Sequence, residues 1–218
     1  MLKGVIFDMD GLMIDTEKLL TRFWCEAANH YGYPMTKEHV LGIRSLAAKY
    51  AIPHLKGIFG EDFDYYKVRG KRIELMNEFI RQNGIEKKKG LGELLDYLDS
   101  TGLKKAVATA TDLQRTTLYL SSINIIDRFD KLICGNMIEN GKPAPDIYLA
   151  AAKELGLDPS ECIALEDSPN GIRSAHTAGC KPVMIPDLSQ PDEETKKLLY
   201  ACCDDLSKVI SVIQKLLR

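Results

Sequence analysis

The sequence predicts an α/β protein: a doubly wound, Rossmann-like parallel sheet with an inserted all-helical cap. From residue 91 onward, short apolar runs of strand length alternate with amphipathic helical segments. Such alternation is typical of a parallel sheet that helices cover on both faces. One long stretch near the N-terminus interrupts the pattern and contains only helix-like segments. These two observations determine the predicted fold class.

Five apolar runs are predicted strands, and four amphipathic segments between them are predicted helices. The strands are residues 5–7, 106–108, 132–134, 163–165 and 183–185. The helices are residues 91–99, 113–122, 146–155 and 170–178. Glycines follow three of these helices, where they serve as stop signals. Residues 206–217 are also amphipathic, which predicts a C-terminal helix that closes the core.

Residues 16–85 interrupt the strand–helix pattern, because they contain no apolar run that would make a buried strand. An insertion of this length is typical of a functional lid. We therefore predict a core domain of residues 1–15 and 86–218 and a helical cap domain of residues 16–85. Asp15 and Lys88 would lie near the two hinges.

The composition argues against several kinds of partner. The 29 Lys and Arg nearly balance the 31 Asp and Glu, so no overall field attracts nucleic acid or an anionic membrane. The N-terminal segment resembles neither a signal peptide nor a membrane span. The six cysteines contain no CxxC pair and are predicted free thiols. We expect a cytoplasmic monomer that acts on a small molecule.

Polar side chains follow the predicted strands. Asp8 and Asp10 come after the first strand, and alternate residues on extended backbone point to the same side. The later strands are followed by Thr109, Lys142 and the pair Glu166-Asp167. Ligands bind at the carboxyl ends of parallel strands. Four carboxylates gathered there cannot all ionise without a cation, which predicts a hard, oxygen-liganded ion such as Mg²⁺.

Each of these residues also has an ordinary structural explanation. Asp167-Ser168-Pro169 alone is a helix N-terminal signal. Lys142 alone is a solvated loop lysine, and Thr109 alone is a β-former at a strand end. The functional interpretation is the stronger one because all of them occur, in order, at the strand ends of one predicted sheet.

The segments DMDGLMIDT, GKPAPD and EDSPNG, together with Thr109, resemble the four motifs of the haloacid dehalogenase superfamily. The resemblance spans nearly the whole chain. The helical insertion directly after the first motif resembles the group with a C1 cap, subfamily IA, which includes phosphatases and β-phosphoglucomutase. It implies a Mg²⁺-dependent phosphatase that hydrolyses small phosphorylated metabolites, such as sugar or nucleoside phosphates, through an aspartyl phosphate.

The resemblance also implies a role for each motif residue. Asp8 would be the nucleophile and Asp10 the general acid and base. The phosphoryl oxygens would be bound by Thr109, the amide of Ala110 and Lys142. The Mg²⁺ ligands would be Asp8, the Asp10 carbonyl and Asp167, with Glu166 binding directly or through water. In the cap, Arg44 of the LGIRS turn is the candidate for substrate contact.

Two alternatives remain open at the level of sequence. The first is a hexose phosphomutase like β-phosphoglucomutase, but Leu20 stands where that mutase carries a His, and Arg44 lies one position earlier than its cap-loop Arg. The second is a phospho-accepting signalling module like a receiver domain. Receivers place the acidic pair on the first strand, the reverse of the order here. An acid two residues after the nucleophile also disfavours a dehalogenase or phosphonatase.

Overall fold

A computed structural model describes residues 1–44 and 46–217. It contains one sheet of six strands: β1 (Gly4–Phe7), β2 (Lys104–Thr109), β3 (Lys131–Cys134), β4 (Cys162–Glu166), β5 (Lys181–Met184) and β6 (Ala201–Cys202). Their order is β3-β2-β1-β4-β5-β6, and every neighbouring pair is parallel. The predicted α/β class and parallel sheet are confirmed. The two-residue edge strand β6 was not predicted.

The α-helices within residues 1–44 and 46–217 fall into two groups along the chain. Four lie between β1 and β2: α1 (Glu17–His30), α2 (Lys37–Gly42), α3 (Ala48–Phe59) and α4 (Tyr65–Asn83). Six belong to the strand–helix repeat: α5 (Leu91–Thr101), α6 (Leu113–Ser122), α7 (Asp146–Glu154), α8 (Pro169–Thr177), α9 (Glu193–Leu198) and α10 (Val209–Leu217). The four predicted helices of the repeat all form, with α6 at the predicted bounds. The short helix α9 was not predicted.

The first strand lies at the centre of the sheet, and all four of its residues are buried. Its side chains alternate between two apolar clusters, as the pleat of a strand requires. Val5 and Phe7 pack on one face with Leu95 of α5. Ile6 packs on the other face with Tyr148 of α7. Because β1 is central, the residue that follows it emerges in the middle of the carboxyl edge.

Helices α1–α4 have an apolar cluster of their own, which includes Trp24, Leu55 and Val68. Two segments, one at residue 15 and one at residues 86–88, lie side by side where the chain passes between this helical group and the sheet. The Asp15 amide donates to the carbonyl of Glu86 at 2.9 Å, and the Lys88 ammonium lies 3.4 Å from Asp15 Oδ1. These contacts support the proposed division into core and cap. The boundaries at residues 15/16 and 85/86 stay a prediction.

Two smaller features of the chain complete the description. All six cysteines are free thiols. Across the ranges 1–44 and 46–217, no helix has the length and apolar character that crossing a bilayer requires.

Candidate active site

Asp8 and Asp10 follow β1 and reach the floor of a cavity at the carboxyl edge of the sheet. The chain then turns at Gly11, which adopts a positive φ of 85°. A side chain at this position would be strained, and its Cβ would collide with the carboxylate of Asp167 and the side chain of Glu17. Glycine therefore lets the turn pass close to the acidic residues of the site.

Lys142 is fixed at the centre of the site. Its side chain is 1% exposed, and its ammonium group makes an ion pair with Asp8 Oδ1. The ammonium also donates to Glu166 Oε1 at 2.6 Å and to the carbonyl of Ala108 at 3.1 Å. Burial acts to lower the pKa of Lys142, but the two carboxylates outweigh it and raise that pKa above its ordinary value. Lys142 is thus a permanent positive charge, and its interpretation as a solvated loop lysine is wrong.

Glu166 accepts hydrogen bonds at both carboxylate oxygens. Besides the lysine ammonium, Oε1 accepts from the hydroxyl of Tyr148 at 2.6 Å. Oε2 accepts from the Asp167 amide and the Ser168 hydroxyl, both at 3.2 Å. Gly171 on α8 makes room for this carboxylate, because a Cβ there would overlap it. Glu166 is therefore held rigidly, and its contacts orient the lysine.

A divalent cation fits the acidic cluster at the strand ends. Asp8, Glu166 and Asp167 each offer a carboxylate oxygen, and these oxygens lie within 4.8 Å of one another. Asp167 Oδ1 is buried and has no hydrogen-bond partner within residues 1–44 and 46–217. Burial raises the pKa of Asp8 and of Asp167 well above the ordinary range, against the opposing effects of Lys142 and Arg44. Another positive charge would relieve this cost.

The carboxylate of Asp10 lies in a different, more polar environment. It accepts from the hydroxyls of Thr16 at 2.6 Å and Thr111 at 2.8 Å, and more weakly from that of Thr109 at 3.5 Å. The hydroxyl of Thr109 in turn accepts from the amide of Thr111 at 3.1 Å. Ala110 is exposed on the cavity wall between them. The threonines therefore orient Asp10 toward the cavity.

Arg44 reaches the site from the cap. Its guanidinium makes an ion pair with Asp167 Oδ2 and donates to the hydroxyl of Ser189 at 3.2 Å. Glu17 Oε2 lies 3.3 Å from Arg44 Nε. Burial raises the pKa of Glu17 to about 8, although Arg44 opposes the shift. The structure thus places Arg44 beside the predicted metal ligands, and its contact with substrate stays a prediction.

The cavity between the strand ends and the cap has a volume of about 400 Å³. Its floor includes Asp8, Asp10 and Lys142, and its cap side includes Trp24 and Tyr65. Small-molecule sites commonly have this size and a mixed lining of aromatic and convergent polar groups.

Sequence analysis missed three residues that hold these groups in place. Thr111 lies two positions after Thr109, so the same alternation that paired Asp8 with Asp10 could have identified it. Thr16 and Tyr148 carry no such local signal. They reach Asp10 and Glu166 only through the packing of the cap hinge and of α7.

A family profile for haloacid dehalogenase-like hydrolases matches residues 5–185. The chain belongs to this family. The match confirms the predicted superfamily and the prediction that the chain is an enzyme of the hydrolase class.

Curated relatives of this haloacid dehalogenase-like hydrolase include several proteins named as phosphatases. A phosphorylated carbohydrates phosphatase of Thermotoga maritima is 29% identical, over 84% of this chain and 84% of its own length. A probable pseudouridine-5′-phosphatase of Drosophila melanogaster is 32% identical, over 87% and 84%. Hexitol phosphatase A of Escherichia coli is 30% identical, over 84% and 82%.

Solved structures match nearly the whole chain. CbbY from Rhodobacter sphaeroides, in complex with phosphate, aligns with a TM-score of 0.81 at 25% identity, over 96% of each chain. A β-phosphoglucomutase from Clostridium difficile aligns with a TM-score of 0.83 at 24% identity, over 99% of this chain and 96% of its own. These likenesses confirm the predicted fold.

Proposed function

We propose that this hydrolase is a Mg²⁺-dependent phosphatase that cleaves small phosphorylated metabolites through a phosphoryl group carried on Asp8. The observation that carries the proposal is the pairing of Asp8 with a buried, permanently charged Lys142 at the floor of the cavity. The second oxygen, Oδ2, accepts no hydrogen bond within the described part of the chain. It is the oxygen available to attack phosphorus.

The first chemical step is displacement at phosphorus. An Asp8 oxygen forms a bond to phosphorus while the bond from phosphorus to the leaving alcohol oxygen breaks. Asp10 supplies the proton that this alcohol requires, and its carboxyl is oriented for the task by Thr16 and Thr111. The alcohol product can then leave the cavity.

The second step is hydrolysis of the phosphoryl–Asp8 bond. Asp10, now ionised, accepts a proton from water as the water oxygen bonds to phosphorus. The bond between phosphorus and the Asp8 oxygen breaks, which regenerates the carboxylate and releases inorganic phosphate. The same residue therefore acts as acid and then as base.

Stabilisation of negative charge is the main demand of both steps. Lys142 supplies a fixed charge, and Thr109 and the amide of Ala110 are assigned to the phosphoryl oxygens. Asp8, the Asp10 carbonyl and Asp167 would hold Mg²⁺, with Glu166 in direct or water-mediated contact. When bound, the ion supplies positive charge against the carboxylates and the transferring group. The cap limits the access of bulk water to these charges.

Hydrolysis is favoured over a mutase reaction by the lining of the cap. Leu20, which stands where the mutase carries a His, lies on the cavity wall. The leucine side chain can neither donate nor accept a proton. It therefore cannot assist a sugar hydroxyl in accepting the phosphoryl group, as a mutase reaction requires. Water is then the acceptor for the group on Asp8.

A screen of phosphate esters tests the proposal. Purified protein with Mg²⁺ is expected to release inorganic phosphate from sugar or nucleoside monophosphates and from p-nitrophenyl phosphate. β-Glucose 1-phosphate should give free phosphate, whereas formation of glucose 6-phosphate would support the mutase. The absence of turnover across the panel would contradict the phosphatase and favour the phospho-accepting alternative.

Thr111→Val tests the orientation of Asp10. Valine preserves the shape of threonine but removes the hydroxyl that donates to Asp10 at 2.8 Å. A hydrogen bond to a charged group contributes roughly 1.5–3 kcal/mol. We therefore expect kcat to fall by about 10- to 100-fold, measured by phosphate release at saturating substrate.

Thr111→Ser should restore most of the rate, because it returns the hydroxyl. Thr117→Val, at an exposed position of helix α6, which follows Thr111 along the chain, is the matched control and should leave kcat unchanged. Equal rates for Thr111→Val and the unmodified protein would rule out the assigned orienting role.

A further inference from the structure

Three arginines from two parts of the fold line the cavity. Arg69 and Arg72 lie three positions apart on α4 of the cap and therefore on the same helix face. Arg115 lies in the first turn of α6, in the core. None of the three belongs to the group of residues that contacts Asp8 or the acidic cluster. They form a separate positive wall, which we call the arginine wall.

Arg72 is buried, and none of the residues that the structure describes gives it a counter-ion. It is 5% exposed, and its Nε has no hydrogen-bond partner in the described ranges. One guanidinium nitrogen donates to the sulfur of Met76 at 4.0 Å, and the guanidinium lies 5.3 Å from the centre of the Trp24 ring. Burial, followed by the charges of Arg115 and Arg69, lowers the pKa of Arg72 to about 10. A buried, unpaired cation is costly for a fold.

The only carboxylate recorded within 4 Å of the arginine wall, over the ranges 1–44 and 46–217, belongs to Asp112. Asp112 caps α6 by accepting from the Arg115 amide at 3.0 Å and also accepts from Arg115 Nε at 2.8 Å. This pairing fixes Arg115 in place but offsets only one of three positive charges. Within the described residues, neither the half-buried Arg69 nor the buried Arg72 has a carboxylate partner.

Packing of Arg72 against Trp24 is the simplest structural explanation, since a cation–π contact offsets part of the burial cost. It does not account for the convergence of three guanidinium groups from two parts of the fold on one cavity. Guanidinium forks match the planar geometry of carboxylate and phosphate oxygens. A bound anion would pair with the guanidinium groups that have no carboxylate partner among the described residues.

We propose that the arginine wall binds a second anionic group of the substrate, a phosphate or carboxylate separate from the phosphoryl group that Asp8 attacks. The inference rests on the proposed function and deepens it, because it names the substrate class as doubly anionic metabolites. Since Arg72 belongs to the cap and Arg115 to the core, the second anion would also hold the two sides of the cavity together.

Matched substrate pairs test the proposal. One pair is fructose 1-phosphate and fructose 1,6-bisphosphate; the other is glucose 6-phosphate and 6-phosphogluconate. We expect the doubly anionic member of at least one pair to have a kcat/KM higher by about tenfold or more. Preference in the first pair indicates a second phosphate, and preference in the second pair a carboxylate. Absence of a preference in both pairs overturns the proposal.

Arg72→Gln separates substrate binding from structure. It should erase the preference within the responsive pair by lowering the kcat/KM of the doubly anionic member about tenfold, with a much smaller effect on the kcat/KM of p-nitrophenyl phosphate, which has one anionic group. Arg69→Gln should reduce the preference in part and serves as the second variant if Arg72→Gln does not fold. Arg81→Gln, at an exposed position of the same helix α4, is the matched control. An equal loss for both members of the pair would assign Arg72 a structural role and refute the inference.

A binding measurement distinguishes failure of this inference from failure of the proposed function. Calorimetric titration of the same pairs into an Asp8→Asn protein requires no turnover. If the doubly anionic member binds more tightly and Arg72→Gln removes this difference, the arginine wall binds a second anion. That conclusion would hold even if the protein hydrolysed none of the esters. Phosphatase turnover combined with equal binding of both members would support the proposed function and refute the binding of a second anion by the arginine wall.

Discussion

Asp8→Asn is expected to eliminate phosphatase turnover while the protein remains folded. The amide nitrogen and carbonyl of asparagine cannot form the phosphoryl–carboxylate bond, so no residual route through the same intermediate exists. Loss of a covalent nucleophile lowers kcat by on the order of 10⁴-fold or more. Phosphate release from the best substrate of the screen, with Mg²⁺ present, measures the loss.

The fold should tolerate this exchange. The Asp8 side chain is buried and nearly isosteric with asparagine, and burial already holds its pKa well above the ordinary range. Replacing it with a neutral group relieves repulsion from Glu166 and Asp167. The exchange also removes the ion pair between Asp8 and Lys142, which keeps its second partner Glu166, so we expect a cooperative melting transition close to that of the unmodified protein. Asp127→Asn, at an exposed position of the core domain, is the control for an Asp-to-Asn exchange away from the site. Retention of more than a few per cent of kcat by Asp8→Asn would exclude the covalent mechanism.

Much of the fold could be predicted because its signals are local. The run before Asp8 is apolar and bounded by polar residues, and α6 begins at a capping aspartate, Asp112. Because ligands bind at the carboxyl ends of parallel strands, the strand-end positions of Asp8, Lys142 and Asp167 then predicted that they lie together. The edge strand β6 lacked such a signal. It has two residues, and only its pairing with β5 defines it.

Properties of the site that depend on tertiary packing could not be predicted. Lys142 lies in a polar, proline-containing segment that looks like an exposed loop, yet the ends of β1 and β4 bury it completely. Arg72 lies on a helix rich in charge, where a solvated face is the ordinary expectation. Its burial follows from the packing of α4 against Trp24 of α1. Both residues matter because they carry a charge in a buried position. The charge is evident from the sequence, but the burial is not.

Lys142→Met is expected to reduce both activity and stability. Methionine fills a similar volume but removes the charge that pairs with Asp8 and Glu166. Without it, buried carboxylates face one another with no lysine between them, and breaking a buried ion pair costs about 3–5 kcal/mol. The transferring phosphoryl group also loses a fixed counter-charge, which lowers kcat by roughly 10²- to 10³-fold. Urea unfolding in metal-free buffer and phosphate release with Mg²⁺ measure the two effects.

The two readouts together separate a catalytic charge from a purely structural one. If Lys142 served only to neutralise Asp8 and Glu166 in the folded protein, bound Mg²⁺ could replace it, and kcat would recover at high metal concentration. A role on the phosphoryl oxygens predicts that stability recovers with the metal but kcat does not, because the lysine ammonium occupies a place between Asp8 and the Ala108 carbonyl. Lys153→Met, at an exposed position of α7, should change neither quantity. Full recovery of kcat by Mg²⁺ would remove Lys142 from the chemical step and leave the metal as the main counter-charge to the phosphoryl group.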